Sequence, residues 1–315
     1  MNIVVLGATG FVGQHLLPRL AADGHQLAVL SRNVPRHRDI GLIPGCRLRS
    51  VDIFDPDSLN KAMSGADAAI NLVGILNERG RSGAGFHRAH VELTDSLVKA
   101  CLERGVHRIL HMSALNAGKG ESFYLQSKGL AEQHLQKAAA EHGLQISIFQ
   151  PSVIFGPGDQ FINRFHGLLK FSPVLPLARP QSKFQPVYVK DVAEVFARSL
   201  GNPDTYGKTY PLCGPRKYTL RQLVQYVATT AGLKRRVIGL PNFASRLQAA
   251  VMDFVPGKPF STDNYKSLLM DSICDGNAFR EFDVEPKRLE SVVPDYLLGS
   301  REQRRLMAAR KRARR

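Results

Sequence analysis

Two side chains that can move protons lie four residues apart in this 315-residue sequence. Tyr124 and Lys128 share one face of the helix that the pattern predicts over Phe123–His142. A free tyrosine has a pKa of about 10, and a neighbouring ammonium group stabilises the phenolate and lowers that pKa. Ser113 ends the strand predicted before this helix. The three residues predict a site that exchanges a proton with an alcohol or a carbonyl group.

Short apolar runs alternate with helical patterns through the first half of the chain. Strands are predicted over Asn2–Leu6, Gln26–Ser31, Arg47–Val51, Asp67–Leu72, His107–Met112 and Gln145–Gln150. Repeated strand–helix units of this length predict an α/β fold, a Rossmann-type doubly wound parallel sheet covered by helices. After Pro151 the pattern loosens into Pro-rich loops and shorter elements. We therefore expect a sheet domain over 1–150, a smaller irregular cap or substrate region over 151–300 whose strand and helix at 184–200 rejoin the core, and a tail over 301–315.

A glycine-rich turn follows the first predicted strand and opens the first helix. Its spacing, G-x-x-G-x-x-G, is a relative of the dinucleotide fingerprint, in which glycines permit a tight turn, the approach of a pyrophosphate and close helix–strand packing. The helix N-terminus offers free N–H groups and its positive dipole to the phosphates. The residues expected to bind the dinucleotide here are Gly7, Thr9, Gly10, Phe11, Val12 and Gly13. Residues 1–150 are thus predicted to bind NAD(P).

The end of the second strand distinguishes the two dinucleotides. An NAD site usually places Asp or Glu there to hold the ribose 2′-hydroxyl. This sequence has Ser31 and Arg32, with Arg36 and Arg38 close behind. A guanidinium suits a 2′-phosphate, so NADP(H) is the preferred cofactor and NAD(H) remains the alternative.

With these residues the sequence resembles the short-chain dehydrogenase/reductase superfamily, in its extended or atypical branch. Tyr124 and Lys128 match its Y-x-x-x-K signature, and Ser113 stands where the superfamily has its serine. The resemblance implies that Ser113 holds the substrate oxygen, Tyr124 exchanges the proton and Lys128 also bonds the nicotinamide ribose while a hydride is transferred. It also implies further cofactor contacts at Asp52, Asn71, Gly74, Pro151 and Val153.

A narrower resemblance extends over nearly the whole chain. The blocks at 155–159, 161–165, 184–193 and 256–264 are together similar to the family of the NAD(P)H-binding 39 kDa accessory subunit of respiratory complex I and its bacterial relatives. In that family the subunit holds NADPH in a structural or regulatory role, and relatives outside complex I are linked to quinone metabolism. The resemblance thus implies a dinucleotide-binding protein of quinone or respiratory-chain metabolism.

Two residues differ from those that many members of the extended branch have, and they leave open whether the site catalyses a reaction. Gln150 stands where many extended members have Arg, and His90 stands where many have Asn. The same Tyr124 and Lys128 can either catalyse a hydride transfer or only grip the cofactor ribose. The alternative function is a soluble NADP-dependent reductase, epimerase or dehydratase that acts on a small carbonyl or sugar-nucleotide substrate.

Charge and cysteine content bound the remaining possibilities. The formal net charge is +16, and residues 301–315 hold eight basic residues against Glu302, so this tail contributes +7. Such a tail can contact an anionic membrane surface, or it can be merely solvated.

The four cysteines are scattered, which predicts reduced, mostly buried thiols and no metal site. We expect a cytoplasmic protein, peripheral on the inner face of the membrane, without specific nucleic-acid binding.

Overall fold

The structure is a computed structural model that describes residues 1–78, 80–256, 258–276 and 278–298. The basic tail expected at 301–315 lies outside these residues, as do Arg79, Gly257 and Asn277. The first half contains, in order, β1 (Asn2–Leu6), α1 (Phe11–Ala22), β2 (Gln26–Ser31), a 3-10 segment (Val34–Leu42), β3 (Cys46–Ser50), α2 (Pro56–Ala62), β4 (Ala68–Asn71), α3 (Ala84–His87), a π-helical turn (Arg88–Glu92), α4 (Leu93–Arg104), β5 (Arg108–Met112), α5 (Phe123–His142) and β6 (Gln145–Pro151).

The second half is built from shorter elements. They are β7 (Ile154–Phe155), α6 (Phe161–Phe171), β8 (Val174–Leu177), β9 (Lys183–Phe184), β10 (Val187–Tyr188), α7 (Val189–Leu200), a 3-10 turn (Pro203–Thr205), β11 (Lys208–Leu212), β12 (Tyr218–Thr219), α8 (Leu220–Thr230), β13 (Arg236–Gly239), α9 (Asn242–Met252), α10 (Thr262–Ser267), a 3-10 turn (Ala278–Phe282) and α11 (Leu289–Leu297).

A seven-stranded sheet forms the centre of the molecule, in the order β11-β6-β5-β4-β1-β2-β3. All of its neighbouring strands run parallel. The strand order reverses between β1 and β4, and ligands of such open sheets bind at the carboxyl ends of the strands beside that point. The expected Rossmann-type doubly wound sheet is therefore confirmed.

Apolar side chains pack on both faces of this sheet, which explains why strands such as β1 are almost continuously apolar. One hydrophobic cluster joins α1 and α7 to the sheet, and another joins α2, α4 and α5 to its opposite face. A third cluster holds the second half together around α6, α8 and α11. Packing on both faces of the sheet thus holds the carboxyl ends of its strands in place.

Two predicted elements differ from the observed ones. The single strand expected over 184–189 is two short strands in separate small sheets, in which β9 pairs with β12 and β10 pairs with β7. The edge of the main sheet next to β6 is instead occupied by β11, which had not been predicted. The helix expected from about Gly85 to Arg104 contains the π-helical turn, and π turns are common at functional sites.

The expectation of four reduced cysteines is wrong for one pair. Cys213, directly after β11, forms a disulfide with Cys274, which lies 61 residues further along the chain. Cys46 and Cys101 are free and buried, as expected. The disulfide ties the segment after α10 to the carboxyl end of β11, close to the loop that follows β6.

Candidate functional site

The glycine turn brings α1 unusually close to the sheet. Gly7 has a φ of +75°, and a Cβ atom there would lie 2.8 Å from the backbone nitrogen of Val73. A Cβ atom at Gly13 would lie only 2.1 Å from the backbone oxygen of Ala8. These positions therefore require glycine, because any side chain would collide with backbone.

The N-terminus of α1 is free to receive an anion. Gly10 caps the helix without a side chain, and the first helical hydrogen bond runs from the N–H of Gln14 to the oxygen of Gly10. The N–H groups of Phe11, Val12 and Gly13 therefore have no acceptor within the helix. Thr9 is half-buried just before them. This arrangement fits a dinucleotide pyrophosphate, with the helix dipole favouring negative charge.

Arginines surround the end of β2, where the adenosine would lie. Arg32 and Arg36 are exposed, while Ser31 is buried and accepts a hydrogen bond from the Asn33 N–H. The guanidinium of Arg32 lies 5.8 Å from the ring centroid of Phe54. Arg88, which the sequence had not singled out, lies 4.9 Å from the same ring. The π-helical turn thus adds a cation to this end of the site.

Polar side chains after β3 and at the end of β4 accept hydrogen bonds from the backbone of the loops that follow these strands. Asp52 is exposed, and its carboxylate accepts the N–H of Phe54 at 3.1 Å. Asn71 is buried: its side-chain oxygen accepts the N–H of Val73, and its Nδ2 lies 3.3 Å from Nδ1 of His111. Asn71 therefore fixes the turn after β4, and its contact with the cofactor stays a prediction.

Lys128 is held between the ends of two strands. Its buried Nζ donates to the oxygen of Val73 at 3.2 Å and to the oxygen of Met112 at 2.9 Å. A Cβ atom on Gly74 would lie 3.5 Å from this Nζ, so the glycine keeps the space beside the ammonium open. Burial lowers the pKa of Lys128 to about 8.

Tyr124 lies in an aromatic environment one turn before Lys128. Its ring is 5.6 Å from that of His90 and 6.1 Å from that of Phe86. Burial, helped by the charge of Asp263, raises the pKa of Tyr124 to about 12. The lowered pKa expected beside an ammonium is therefore wrong for this chain, because desolvation and the charge of Asp263 both favour the neutral phenol. At neutral pH the phenol is protonated.

Asp263 was missed as part of the site. Its carboxylate accepts the N–H groups of Phe123 at 2.6 Å and Tyr124 at 3.3 Å, at the positive end of the α5 dipole. It therefore fixes α10 against the N-terminus of the helix that carries Tyr124. Spacing along the sequence could not reveal this contact, since about 140 residues separate the partners.

Ser113 directly follows β5 and is buried beside α5. Its hydroxyl interacts with the carboxyl group of Glu132 but lacks a well-aligned hydrogen-bond partner among the described residues. Gln150 donates to both carboxylate oxygens of Glu132, at 2.8 and 2.9 Å. Burial raises the pKa of Glu132. Ser113 thus has a hydroxyl available for a substrate oxygen.

His90 links three parts of the site. Its Nε2 accepts the N–H of Ile75 at 3.2 Å, so its Nδ1 carries the proton and donates to Oγ of Ser127 at 2.8 Å. Ser127 in turn donates to the backbone oxygen of Tyr124. Burial and the charge of Lys128 lower the pKa of His90 to about 2. His90 is therefore neutral and bonds the loop after β4 to α5.

The loop after β6 forms the other side of the crevice. The oxygen of Pro151 accepts the N–H of Leu115, and the oxygen of Val153 accepts the N–H of Val187. Both residues lie at the carboxyl edge of the sheet, the edge that also carries Ser113. The structure therefore places the residues predicted for the nicotinamide end along one edge.

A cavity of about 330 Å³ lies next to the N-terminus of α5. Phe86 and Phe123, which border Tyr124, form part of its wall, and Ala250 and Phe254 close it from the α9 side. Basic side chains also line it, namely Arg81, Lys258 and Lys266. This cavity is a candidate substrate site, and its lining from the second half could not be recognised in the sequence.

Neither a metal-binding cluster nor a membrane-spanning helix occurs among the described residues. Those residues contain no cluster of His, Cys, Asp and Glu side chains that could hold a metal ion. None of the helices among them combines the length and the apolar character needed to cross a membrane.

Comparison with known proteins gives consistent matches. The model of the NAD dependent epimerase/dehydratase family matches residues 3–213. The mitochondrial NADH dehydrogenase [ubiquinone] 1 alpha subcomplex subunit 9 of Arabidopsis thaliana is 30% identical over 95% of this chain and 77% of its own length. The ceramide reductase of Caulobacter vibrioides is 29% identical over 80% of this chain and 77% of its own length. A double mutant of the Streptomyces venezuelae dTDP-glucose 4,6-dehydratase DesIV, with NAD bound, shares the fold with a TM-score of 0.75 at 20% identity, over 94% of this chain and 96% of that chain.

Proposed function

Since this chain belongs to the NAD-dependent epimerase/dehydratase family, we propose that it binds NADPH and reduces a carbonyl group of an amphiphilic, quinone-like or lipid substrate. The observation that carries the proposal is the position of Lys128. Its ammonium lies between the oxygens of Val73 and Met112, one helical turn from Tyr124, at the carboxyl edge of the sheet. That is where open parallel sheets carry out their chemistry.

The arginines around Phe54 support NADPH over NADH. Residues 31–38 contain Arg32, Arg36 and Arg38 and no acid that would repel a 2′-phosphate. Arg88 approaches the same ring from the π-helical turn. Guanidinium groups bind phosphate through paired, charge-assisted hydrogen bonds. We therefore assign the 2′-phosphate to this cluster, with the ribose and pyrophosphate held by the turn at Gly7–Gly13.

The protonation state of Tyr124 favours reduction. When bound, the reduced nicotinamide supplies a hydride for the substrate carbonyl carbon. Ser113 holds the carbonyl oxygen, and Tyr124, protonated because its pKa is raised to about 12, donates its proton to that oxygen. Lys128, with a pKa of about 8, supplies positive charge beside the phenolate that forms. The product is an alcohol, and the proton is replaced from solvent.

The chemistry of the cavity supports an amphiphilic substrate. Phenylalanines line part of it, and the remainder carries cations together with the carboxylates of Glu78, Asp253 and Asp263. An apolar body with a polar group would therefore fit it. The Caulobacter relative is named for reducing ceramide, an amphiphilic lipid, and the Arabidopsis relative is named as a subunit of a ubiquinone-linked dehydrogenase. We place the protein at the cytoplasmic face of a membrane, where the basic tail at 301–315 contacts anionic lipid.

The test uses ligand-stripped protein and a matched variant. Calorimetry is expected to give tighter binding of NADPH than of NADH. Tyr124→Phe keeps the ring and the packing on His90 and is expected to bind NADPH unchanged while losing most turnover of a short-chain ubiquinone or a long-chain ketone. Equal turnover by the variant and the parent protein would refute the proposed proton transfer.

A second function, holding NADPH without turnover, is favoured by one observation. Lys128 already donates to two backbone oxygens, so its ammonium also serves as a structural tie between β4, β5 and α5. In that case NADPH would stabilise the fold. Neither the parent protein nor Tyr124→Phe would oxidise NADPH with any carbonyl substrate. A rise in the melting temperature with NADPH, combined with no consumption of NADPH, would support this function over the first.

A further inference from the structure

The helix α9 carries its apolar side chains on the outside. Phe243, Leu247, Val251 and Phe254 are 75%, 63%, 57% and 78% exposed. The first three are spaced four residues apart, so they form one stripe along the helix, and Phe254 extends it past the C-terminus. We call this stripe the α9 face. A contiguous apolar surface of this kind marks an interaction site, because exposing apolar side chains to water is unfavourable and a binding partner would cover them.

The orientation of α9 is fixed by its polar side. Oγ of Ser245, which is buried, accepts the N–H of Arg179, and Nε2 of Gln248 donates to the oxygen of Pro176 at 3.2 Å. Oδ1 of Asn242, at the start of the helix, adds a further tie, since it accepts a hydrogen bond from the guanidinium of Arg179 at 2.8 Å. The helix therefore buries only the small side chains of Ser245 and Ala249 and presents its large apolar ones, unlike a typical surface helix of a globular protein.

The charge around the α9 face is positive. Residues 234–260 contain five basic residues and one acid, Asp253. Arg246 is exposed on the same side of the helix, and the guanidinium of Arg81 lies 4.1 Å from the ring centroid of Phe254. Asp253 is half-buried in the cavity wall, where its carboxylate accepts hydrogen bonds from Thr262. Apolar side chains flanked by cations match the interfacial layer of an anionic bilayer.

We propose that the α9 face docks on the surface of a bilayer that contains anionic phospholipid, with its aromatic and aliphatic side chains among the acyl chains and Arg246 and Arg81 at the phosphates. A second copy of the chain fits less well. A twofold interface would bring each Arg246 close to its own counterpart without a compensating acid on the face. A lipid headgroup layer supplies the missing negative charge.

Docking would also orient the candidate substrate site. Ala250 and Phe254 belong to α9 and its C-terminal extension, and both also line the cavity beside Tyr124. The cavity would thus open at the membrane surface, where an amphiphile resides. This consequence rests on the proposed reductase function, whereas the docking itself does not.

Because the chain contains no tryptophan, single tryptophans can report insertion in the full-length protein. Phe243→Trp and Val251→Trp are placed on the α9 face, and Leu42→Trp replaces an isolated leucine that is 85% exposed in the 3-10 segment. With vesicles of phosphatidylcholine and phosphatidylglycerol, the two α9 reporters are expected to shift to shorter emission wavelengths and to be quenched by brominated acyl chains. The Leu42→Trp reporter is expected to stay unchanged, and adsorption through the tail alone would leave all three unchanged.

Sedimentation with the same vesicles measures the contribution of the face. Leu247→Glu is expected to weaken partitioning about tenfold, because a charge is placed in the apolar stripe. Leu42→Glu is the matched control and is expected to sediment like the parent protein. Both sites are exposed, and equal melting temperatures check that folding is intact. Unquenched α9 reporters, parent-like sedimentation of Leu247→Glu, or dimers that Leu247→Glu dissociates without lipid would overturn the proposal. The assay contains no cofactor, so its failure is separate from a failure of turnover.

Discussion

Nε2 of Gln150 lies 2.8 and 2.9 Å from the two carboxylate oxygens of Glu132, one helical turn beyond Lys128. An amide thus meets a buried carboxyl group at this position. Because an amide carries no charge, it offsets little of the desolvation of a carboxylate, and the pKa of Glu132 is raised.

Glu132→Gln is therefore expected to change the pH dependence of stability. A carboxyl group whose pKa is raised in the folded state stabilises the fold fully below its unfolded pKa of 4.5 and loses that contribution as pH rises through the folded value. The parent protein should thus lose stability relative to the variant between pH 4.5 and neutral pH. Urea unfolding at several pH values should show this loss for the parent protein and not for the variant.

The control for this experiment is Glu141→Gln, at the exposed end of the same helix. It removes an exposed carboxylate whose ion pair with Lys137 is screened by solvent, so the unfolding free energy should change little. A second readout comes from Lys128, whose pKa of about 8 is supported by the charge of Glu132 and should fall further in Glu132→Gln. A pH-independent gap between parent and variant would contradict the assignment.

Two glycines of the phosphate turn are expected to differ in what they control. A Cβ atom at Gly13 would overlap the backbone of Ala8, so Gly13→Ala should destabilise the fold by about 2 kcal/mol or more. A Cβ atom at Gly10 would meet only the oxygen of Gly7, at 3.1 Å, so Gly10→Ala should fold nearly normally. The methyl group would nevertheless occupy the place of the pyrophosphate, and calorimetry should record weaker NADPH binding. Equal melting temperatures for the two variants would contradict this division.

Local patterns allowed much of the fold to be predicted. The spacing of Gly7, Gly10 and Gly13 predicted the turn into α1, because its demands are met within seven consecutive residues. Apolar runs likewise gave the strands of the first half to within one or two residues, since strands buried on both faces carry that signal.

Long-range contacts could not be predicted in the same way. The disulfide between Cys213 and Cys274 depends on two segments that only the folded chain brings together. The apolar spacing over 242–253 is typical of a helix, but it does not give the direction in which the apolar face of α9 points. The same holds for Arg88, which lies in a π-helical turn that periodicity does not predict and whose guanidinium lies 4.9 Å from the ring centroid of Phe54.

Arg88 provides a test of cofactor choice. Arg88→Met keeps the length of the side chain over Phe54 but removes the charge, and NADPH binding is expected to weaken about tenfold with little change for NADH. Lys99→Met removes an equally positive, exposed charge from α4 and should leave both affinities unchanged. Calorimetry at two salt concentrations separates the effects, because a lost phosphate contact also reduces the salt dependence. Parallel losses for NADPH and NADH would exclude a 2′-phosphate contact.

The pH dependence of stability should also report the buried state of His90. Burial and the charge of Lys128 lower the pKa of His90 from 6.5 to about 2, so the folded protein cannot take up the proton that the unfolded chain binds below pH 6.5. Stability should therefore fall as the pH is lowered through and below 6.5. His90→Asn can replace the bonds to Ile75 and Ser127 without titrating, and its slightly poorer geometry should cost about 1 kcal/mol at pH 7.

That gap should close and then reverse towards pH 5, because the parent protein loses about 2 kcal/mol over this range that the variant keeps. His111 is also buried with a lowered pKa, but it is present in both proteins and its contribution cancels in the difference. Urea unfolding at pH 5, 6, 7 and 8 measures the gap directly. If the variant remained less stable by the same amount throughout, His90 would have to be accessible to protons in the folded state, and its hydrogen bond from the N–H of Ile75 could not be permanent.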